Sequence, residues 1–210
     1  MTPLPRALLA LAPDQPIPAD RRGVLIPIER IAETNIDGAI VVVEIHSDIA
    51  TLQKALVAGA ATIALDGCRI GADLQRFATL LSVAEAQADR PEGSTPILAF
   101  TDGILPAPAA RESLAGKSQR LAGLVWDQRA LAAALGATRT STDFDDCAPP
   151  FAAARAATLL TAAAAGVPAF DSAIELEEEA LERALKRSRT EGFFGHVAIP
   201  RPQTEATEAN

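Results

Sequence analysis

Residues 151–203 read FAAARAATLLTAAAAGVPAFDSAIELEEEALERALKRSRTEGFFGHVAIPRPQ, and this stretch shows the pattern from which the rest of the chain is built. Pro149 and Pro150 stand just before it, where a missing amide hydrogen and a fixed φ cost nothing in a first helical turn. The helix they open is rich in alanine, so it can be buried closely against a neighbour, and Gly166 can end it in a left-handed cap. Pro168–Phe170 is short and apolar and reads as a strand. Ser172 and Glu175 have capping-box spacing ahead of a charged helix, in which Glu179–Arg183 and Glu182–Lys186 are i,i+4 pairs on a solvated face. Val197–Ile199 closes the stretch as another strand. Helix, strand, helix, strand is the repeat of an α/β protein with a parallel sheet buried on both faces.

Working outward, the same repeat accounts for the rest. The remaining apolar runs are Ala7–Ala12, Gly23–Ile28, Ala39–Ile45, Thr62–Leu65, Pro96–Phe100 and Leu121–Trp126. Between them, Asp48 can cap a helix carrying Leu52, Ala55 and Leu56 inward and closed by Gly59. Leu74, Phe77, Leu81 and Ala84 form a second stripe, stopped before Pro91. About eight short strands match a closed barrel, although an open doubly wound sheet would alternate in the same way. The connections 14–22 and 30–38 are too short or too broken by proline and polar residues for full helices. The first two outer helices are therefore expected to be reduced or missing. Strand surface left uncovered would need the N-terminal segment or another subunit over it, which predicts an oligomer.

Composition bounds the function. With 210 residues and 49% apolar content, one barrel domain over 1–199 and a polar tail over 200–210 are expected. The net charge of −8 and the absence of a basic patch argue against nucleic acid. Ala7–Ala12 reads as a strand rather than a signal peptide. No run reaches the roughly 18–20 apolar residues of a membrane span, so a soluble, cytoplasmic protein is expected. The two cysteines, Cys68 and Cys147, lack metal-ligand spacing and read as free thiols. Gly116-Lys117-Ser118 echoes a phosphate loop but has Arg111 where the earlier glycine belongs, and reads as a helix-to-strand turn. Trp126 ends a strand and is expected to pack in the pore or to lid it. With only His46 and His196, and no Ser or Cys in a nucleophile motif, a hydrolase triad has no support.

The C-terminal stretch resembles the end of the HpcH/HpaI aldolase and citrate lyase beta-subunit family, which carries an Arg-containing helix, an AAxxAG turn, an AxD strand, a long helix and GFxGKxxIHPxQ. Here the last motif is GFFGHVAIPRPQ, with His196 for the usual Lys and Pro200 for the usual His. APDQP resembles PGxRP with Gln15 for Arg. IPIERIA resembles LDLEDAV, keeping Glu29 but placing Pro27 and Arg30 at the two acidic positions. VVVEIHS resembles VVVRVNS with Glu44 for Arg, and TIALDGCR resembles GIVLPKV with Gly67 for Lys. The resemblance implies a (β/α)8 TIM-type barrel of the phosphoenolpyruvate/pyruvate superfamily type, and trimers or hexamers. It also implies Mg²⁺-assisted cleavage of a C–C bond beside a carbonyl, in a CoA thioester or 2-oxo acid.

The substitutions oppose that chemistry. The resemblance puts the family's two metal-binding carboxylates at Thr101, in AFTDG, and at Ala130, in WDQRAL; neither supplies the charged oxygen that Mg²⁺ requires. Glu44 in place of an arginine turns attraction for an anionic substrate into repulsion. The first reading is thus a diverged barrel with no cofactor, a structural or regulatory subunit assembled with itself or with an active relative. The second is a divergent lyase whose Mg²⁺ site is re-sited onto Asp102, Asp127 and Glu29, with Asp66 and Asp171 also at strand ends around one mouth. Against it, a one-residue shift on a strand turns a side chain to the other face. A third reading, a small neutral or cationic ligand bound without chemistry, follows from the same acidic lining.

Overall fold

A computed structural model describes residues 4–11, 15–33, 36–138, 148–172 and 178–198, with the side chains of 32, 33 and 178–181 left out. The polar tail 200–210, Cys147 and Glu175 lie outside these residues. Eight strands pair in parallel and in chain order, and β8 closes on β1. They are β1 (Ala7–Ala10), β2 (Val24–Pro27), β3 (Ile40–Glu44), β4 (Thr62–Asp66), β5 (Ile97–Thr101), β6 (Leu121–Trp126), β7 (Ala169–Ser172) and β8 (Gly195–Ala198). The sheet is a barrel and not an open doubly wound sheet. Its helices are α1 (Ile49–Val57), α2 (Gly71–Gln87), α3 (Gln128–Leu135), α4 (Pro149–Ala165) and α5 (Glu178–Glu191). None of the described helices is long and apolar enough to cross a membrane.

Local chemistry sets these elements. Asp48 caps α1 by accepting the Thr51 amide at 2.8 Å, and Leu52, Ala55 and Leu56 are its buried face. Leu74, Phe77, Leu81 and Ala84 bury the inner face of α2, and Gly166 ends α4 at φ 69°. In α5 the i,i+4 ion pair among the described side chains is Arg187 with Glu191.

Among the described residues no helix follows β1, and β2 runs into a six-residue 3₁₀ turn, Ile28–Glu33, in place of a full helix. Strand surface is nevertheless covered. Val24 is 4% exposed and Ile26 0%, packed with Ile17, Ile31 and Ile36 from the connecting loops. Of the two covers expected, the N-terminal segment or another subunit, the first is seen in Ile17, joined by Ile31 and Ile36 of the next connection. A third helix is missing between β5 and β6, where turns and bends occupy 102–120. Gly116-Lys117-Ser118 lies there in a turn, with no helix before it.

Alternation along each strand sorts the core into two layers. Leu8, Leu25, Ile40, Ala64, Leu98, Val125, Phe170 and Val197, one from each strand, fill the bore. Their neighbours face the helices. The pairing of β5 with β6 skips a residue: Ile97 lies opposite Leu121, but Leu98 lies opposite Gly123. Ala122 is the extra residue, and the bulge turns Leu121 outward while Gly123 and Val125 face the bore. A Cβ on Gly123 would stand 3.0 Å from Leu98 Cδ1 and 3.1 Å from Phe170 Cε2.

At the opposite end from the strand termini, Glu85 of α2 is fully buried and accepts Arg120 Nη1 at 2.9 Å and Nη2 at 2.7 Å. It also takes the Gly93 amide at 2.8 Å and the Thr95 amide at 2.7 Å. Burial alone would raise its pKa; the arginine and the amides overcome this and hold it down to about 2.

Two predictions follow from this packing. Gly123→Val overfills the bore and should lower stability by about 1–3 kcal/mol, read as a reduced Tm. Glu85→Gln leaves Arg120 buried without its counter-charge and should cost about 3–5 kcal/mol at neutral pH. Because the folded pKa lies below the ordinary 4.5, the carboxylate's contribution is complete above that value and is lost as pH falls from about 4.5 toward 2. The gap between the two proteins in denaturant melts should therefore narrow over that window.

Candidate functional site

In a parallel barrel the reactive groups stand where the strands end at their C-terminal face. Continuing the alternation of the bore residues places Pro27, Glu44, Asp66, Asp102, Asp127 and Ser172 around that mouth. Thr101 belongs to the other set. It is 1% exposed, shares a face with Ile97 and Ala99, and its Oγ1 accepts the Gly103 amide at 3.1 Å. The expectation that a shift of one residue would aim an acid out of the barrel is reversed here: Thr101 points out and Asp102 is on the bore side.

Asp102 is 5% exposed, and both its carboxylate oxygens are engaged. Oδ2 accepts Arg69 Nε at 2.9 Å and also meets Arg69 Nη2, while Oδ1 accepts the Ile104 amide at 2.9 Å. Asp127 is the N-cap of α3, its Oδ1 accepting the amides of Arg129 at 2.8 Å and Ala130 at 3.2 Å. Ala130 consequently sits in the first turn of a helix. Glu44 and Asp66 end neighbouring strands in register and both are exposed. The protein packed around Asp66 raises its pKa, and so do the carboxylates of Asp127 and Glu44. Asp66 thus stands close enough to both of these acids to be repelled by them.

Glu29 lies on the exposed side of the 3₁₀ turn. Gln15 is half-buried in the loop after β1, and Pro200 lies outside the described residues. Gly67 has φ 79°, a backbone conformation in which a side chain such as lysine would be strained. His46 is exposed in the loop after β3. Among the described residues, no group of three or more His, Cys, Asp or Glu side chains converges to hold a metal. Cys68 is buried, which pushes its thiol up to about 12, so it is no nucleophile.

Two expected members of the mouth are elsewhere. Asp171 has the parity of Ala169 and faces the helices. It accepts Arg155 Nε at 3.1 Å and Nη2 at 2.7 Å, and the Ser188 hydroxyl donates to it. Arg155 also pairs with Glu191 and lies 4.6 Å from the centre of the Phe193 ring. Trp126 neither fills the pore nor lids it: it packs outside with Leu131, Phe151 and Ala154, and Arg155 stands 5.9 Å from its ring centre. The spacing of Arg155 and Asp171 gave no sign of this pair, which forms only because α4 lies back across β7.

No protein-family model matches the chain, and no curated protein matches it by sequence. Solved structures do match. RipC from Yersinia pestis is 21% identical, with a TM-score of 0.64 over 93% of this chain and 89% of that one. CitE from Mycobacterium tuberculosis, solved with magnesium and acetate, is 16% identical, with a TM-score of 0.68 over 91% and 84%. A Haloferax volcanii malate synthase is 11% identical, with a TM-score of 0.65 over 92% and 69%. These likenesses show the fold, a closed parallel eight-stranded barrel like those of RipC, CitE and the malate synthase.

Removing one partner of the Asp171 pair should be worse than removing both. Arg155→Met is expected to cost about 3–5 kcal/mol, because a buried carboxylate is left uncompensated, while Arg155→Met with Asp171→Leu recovers most of it. Denaturant melts of the two variants check this.

Proposed function

We propose that this barrel is a diverged relative of the citrate lyase beta-like enzymes that no longer carries out metal-assisted carbon–carbon chemistry and serves as a structural or regulatory subunit. One observation carries the reading. Asp102, the bore-side acid beside the family's metal position, is spent on Arg69 and on the Ile104 amide. Magnesium needs oxygen ligands in near-octahedral array, with one or two free carboxylates among them beside waters and substrate oxygens. The residues present do not fit it: Thr101 faces outward, Ala130 has no ligand atom, Asp127 holds a helix end, and Glu29 lies on a separate turn.

The electrostatics agree. With Arg69 paired to Asp102 and Arg129 beside Asp127, Glu44 and Asp66 leave the mouth an excess of negative charge in a chain whose net charge is already −8. A CoA thioester or a 2-oxo acid is an anion and would be repelled from it. The barrel's remaining use is as a rigid body presenting surfaces. Assembly into trimers or hexamers, or alongside an active relative, follows from the family likeness rather than from any bare strand.

A re-sited metal centre is the competing reading, and calorimetry separates the two. Titrating the full chain with Mg²⁺ and Mn²⁺ should give no saturable binding, and an Asp102→Asn, Asp127→Asn double variant should behave identically. Tight binding abolished in the double variant, together with turnover of a CoA thioester or 2-oxo acid, would overturn the proposal. Sedimentation is expected to show a particle of several copies.

A further inference from the structure

At the N-terminal ends of the strands, away from the mouth, lies a cavity of about 180 Å³ walled by Arg6, Ser188, Arg189, Phe193, Phe194 and His196. No acidic side chain lines it among the described residues. The total charge gives no hint of such a place. The fold brings these cations together from distant parts of the chain.

The cavity is held by a tight backbone approach. A Cβ on Gly195 would stand 2.0 Å from the Arg6 carbonyl oxygen, so only glycine allows the start of β8 to lie so close to the segment entering β1. The His196 amide donates to that same carbonyl at 2.9 Å. The Arg6 guanidinium lies 5.2 Å from the centre of the Phe194 ring, and Phe194 meets Phe170 of the bore edge-on at 5.5 Å. Arg189 turns its Nε onto the Leu185 carbonyl at 3.2 Å, which leaves its terminal nitrogens available. Five other arginines, Arg69, Arg120, Arg129, Arg155 and Arg187, stand within 4.0 Å of a carboxylate. Arg6 and Arg189 have no carboxylate partner among the described residues, and both face one cavity.

We propose that this cavity binds a small oxyanion, the phosphate or carboxylate group of a short metabolite, between Arg6 and Arg189. Guanidinium groups take such groups through paired, charge-assisted hydrogen bonds. The cavity is smaller than the roughly 300–1,000 Å³ of sites for drug-sized ligands, so it suits one oxyanion and a short stem. His196 completes the wall. Burial, and then Arg189, lowers its pKa, while Asp171 of β7 opposes them. Facing it are Arg6 from the β1 side, Arg189 and Ser188 from α5, and Asp171 with its partner Arg155. An anion between the arginines offsets the repulsion of the imidazolium by Arg189, so the site takes up a proton with its ligand and binds more tightly as pH falls.

The test titrates the full chain with inorganic phosphate and, separately, with succinate, following the imidazole protons by NMR; His46 is the only other histidine and serves as the reference. One saturable site is expected. Its occupation should raise the His196 pKa and leave His46 unmoved. Arg6→Gln and Arg189→Gln should each weaken binding by about tenfold or more, as loss of a charge-assisted contact requires, and Arg6→Lys should keep part of it. Thermal melts of each variant show whether it remains folded. Binding of phosphate alone or of succinate alone identifies the source of the oxyanion. Binding of neither, or binding that both glutamine variants retain in full, would overturn the proposal.

Discussion

Eight parallel strands of four to six residues enclose a narrow bore that side chains from alternate strands fill in layers, and that limit governs the rest of the molecule. Leu8, Leu25, Ile40, Ala64, Leu98, Val125, Phe170 and Val197 fill it, one from each strand and at staggered heights. Leu98 and Phe170 fit because Gly123 brings no side chain between them. Side chains alternate from these residues upward, so the identity of the filling residue decides which residue reaches the mouth. The bulge at Ala122 sets the phase of β6, and hence puts Asp127 at the mouth and Trp126 outside it.

The charges are distributed by the same rule. Acids of bore parity, Glu44, Asp66, Asp102 and Asp127, gather at the C-terminal end. Two acids off the bore are neutralised beneath the surface, Asp171 of β7 by Arg155 and Glu85 of α2 by Arg120. Buried pairs of this kind cost desolvation and return it only when their hydrogen bonds are complete. Glu85 meets that condition with arginine, amide and hydroxyl donors. At the mouth Asp102 meets it with Arg69 and the Ile104 amide, while Asp66 is set against the carboxylates of Asp127 and Glu44, with Arg129 opposing them in part.

Much of the fold could be read from the sequence, because each of the eight strands is a short apolar run and the helices carry their own end signals. Asp48 and Gly166 act as caps, and the short connections after β1 and β2 do lack full helices. What could not be read depends on distant contacts. Nothing local shows that 102–120 replaces a helix with turns, or that Ile17, Ile31 and Ile36 would cover β2. The outward turn of Thr101 and Asp171 requires knowing which strand residue enters the bore, and a bulge can change that by one position. The basic cavity is equally hidden, since Arg6 and Arg189 are far apart in the chain and meet only when β8 closes on β1.

The claim that most needs a direct look is that the mouth of this barrel holds no catalytic cation. Crystals of the full chain soaked in manganese, with data collected to give an anomalous difference map, would provide it. The account predicts no anomalous peak inside the mouth and an intact Arg69–Asp102 pair. A peak ligated by Asp66, Asp102 or Asp127, with Arg69 displaced, would contradict it and return the barrel to the metal-dependent lyases.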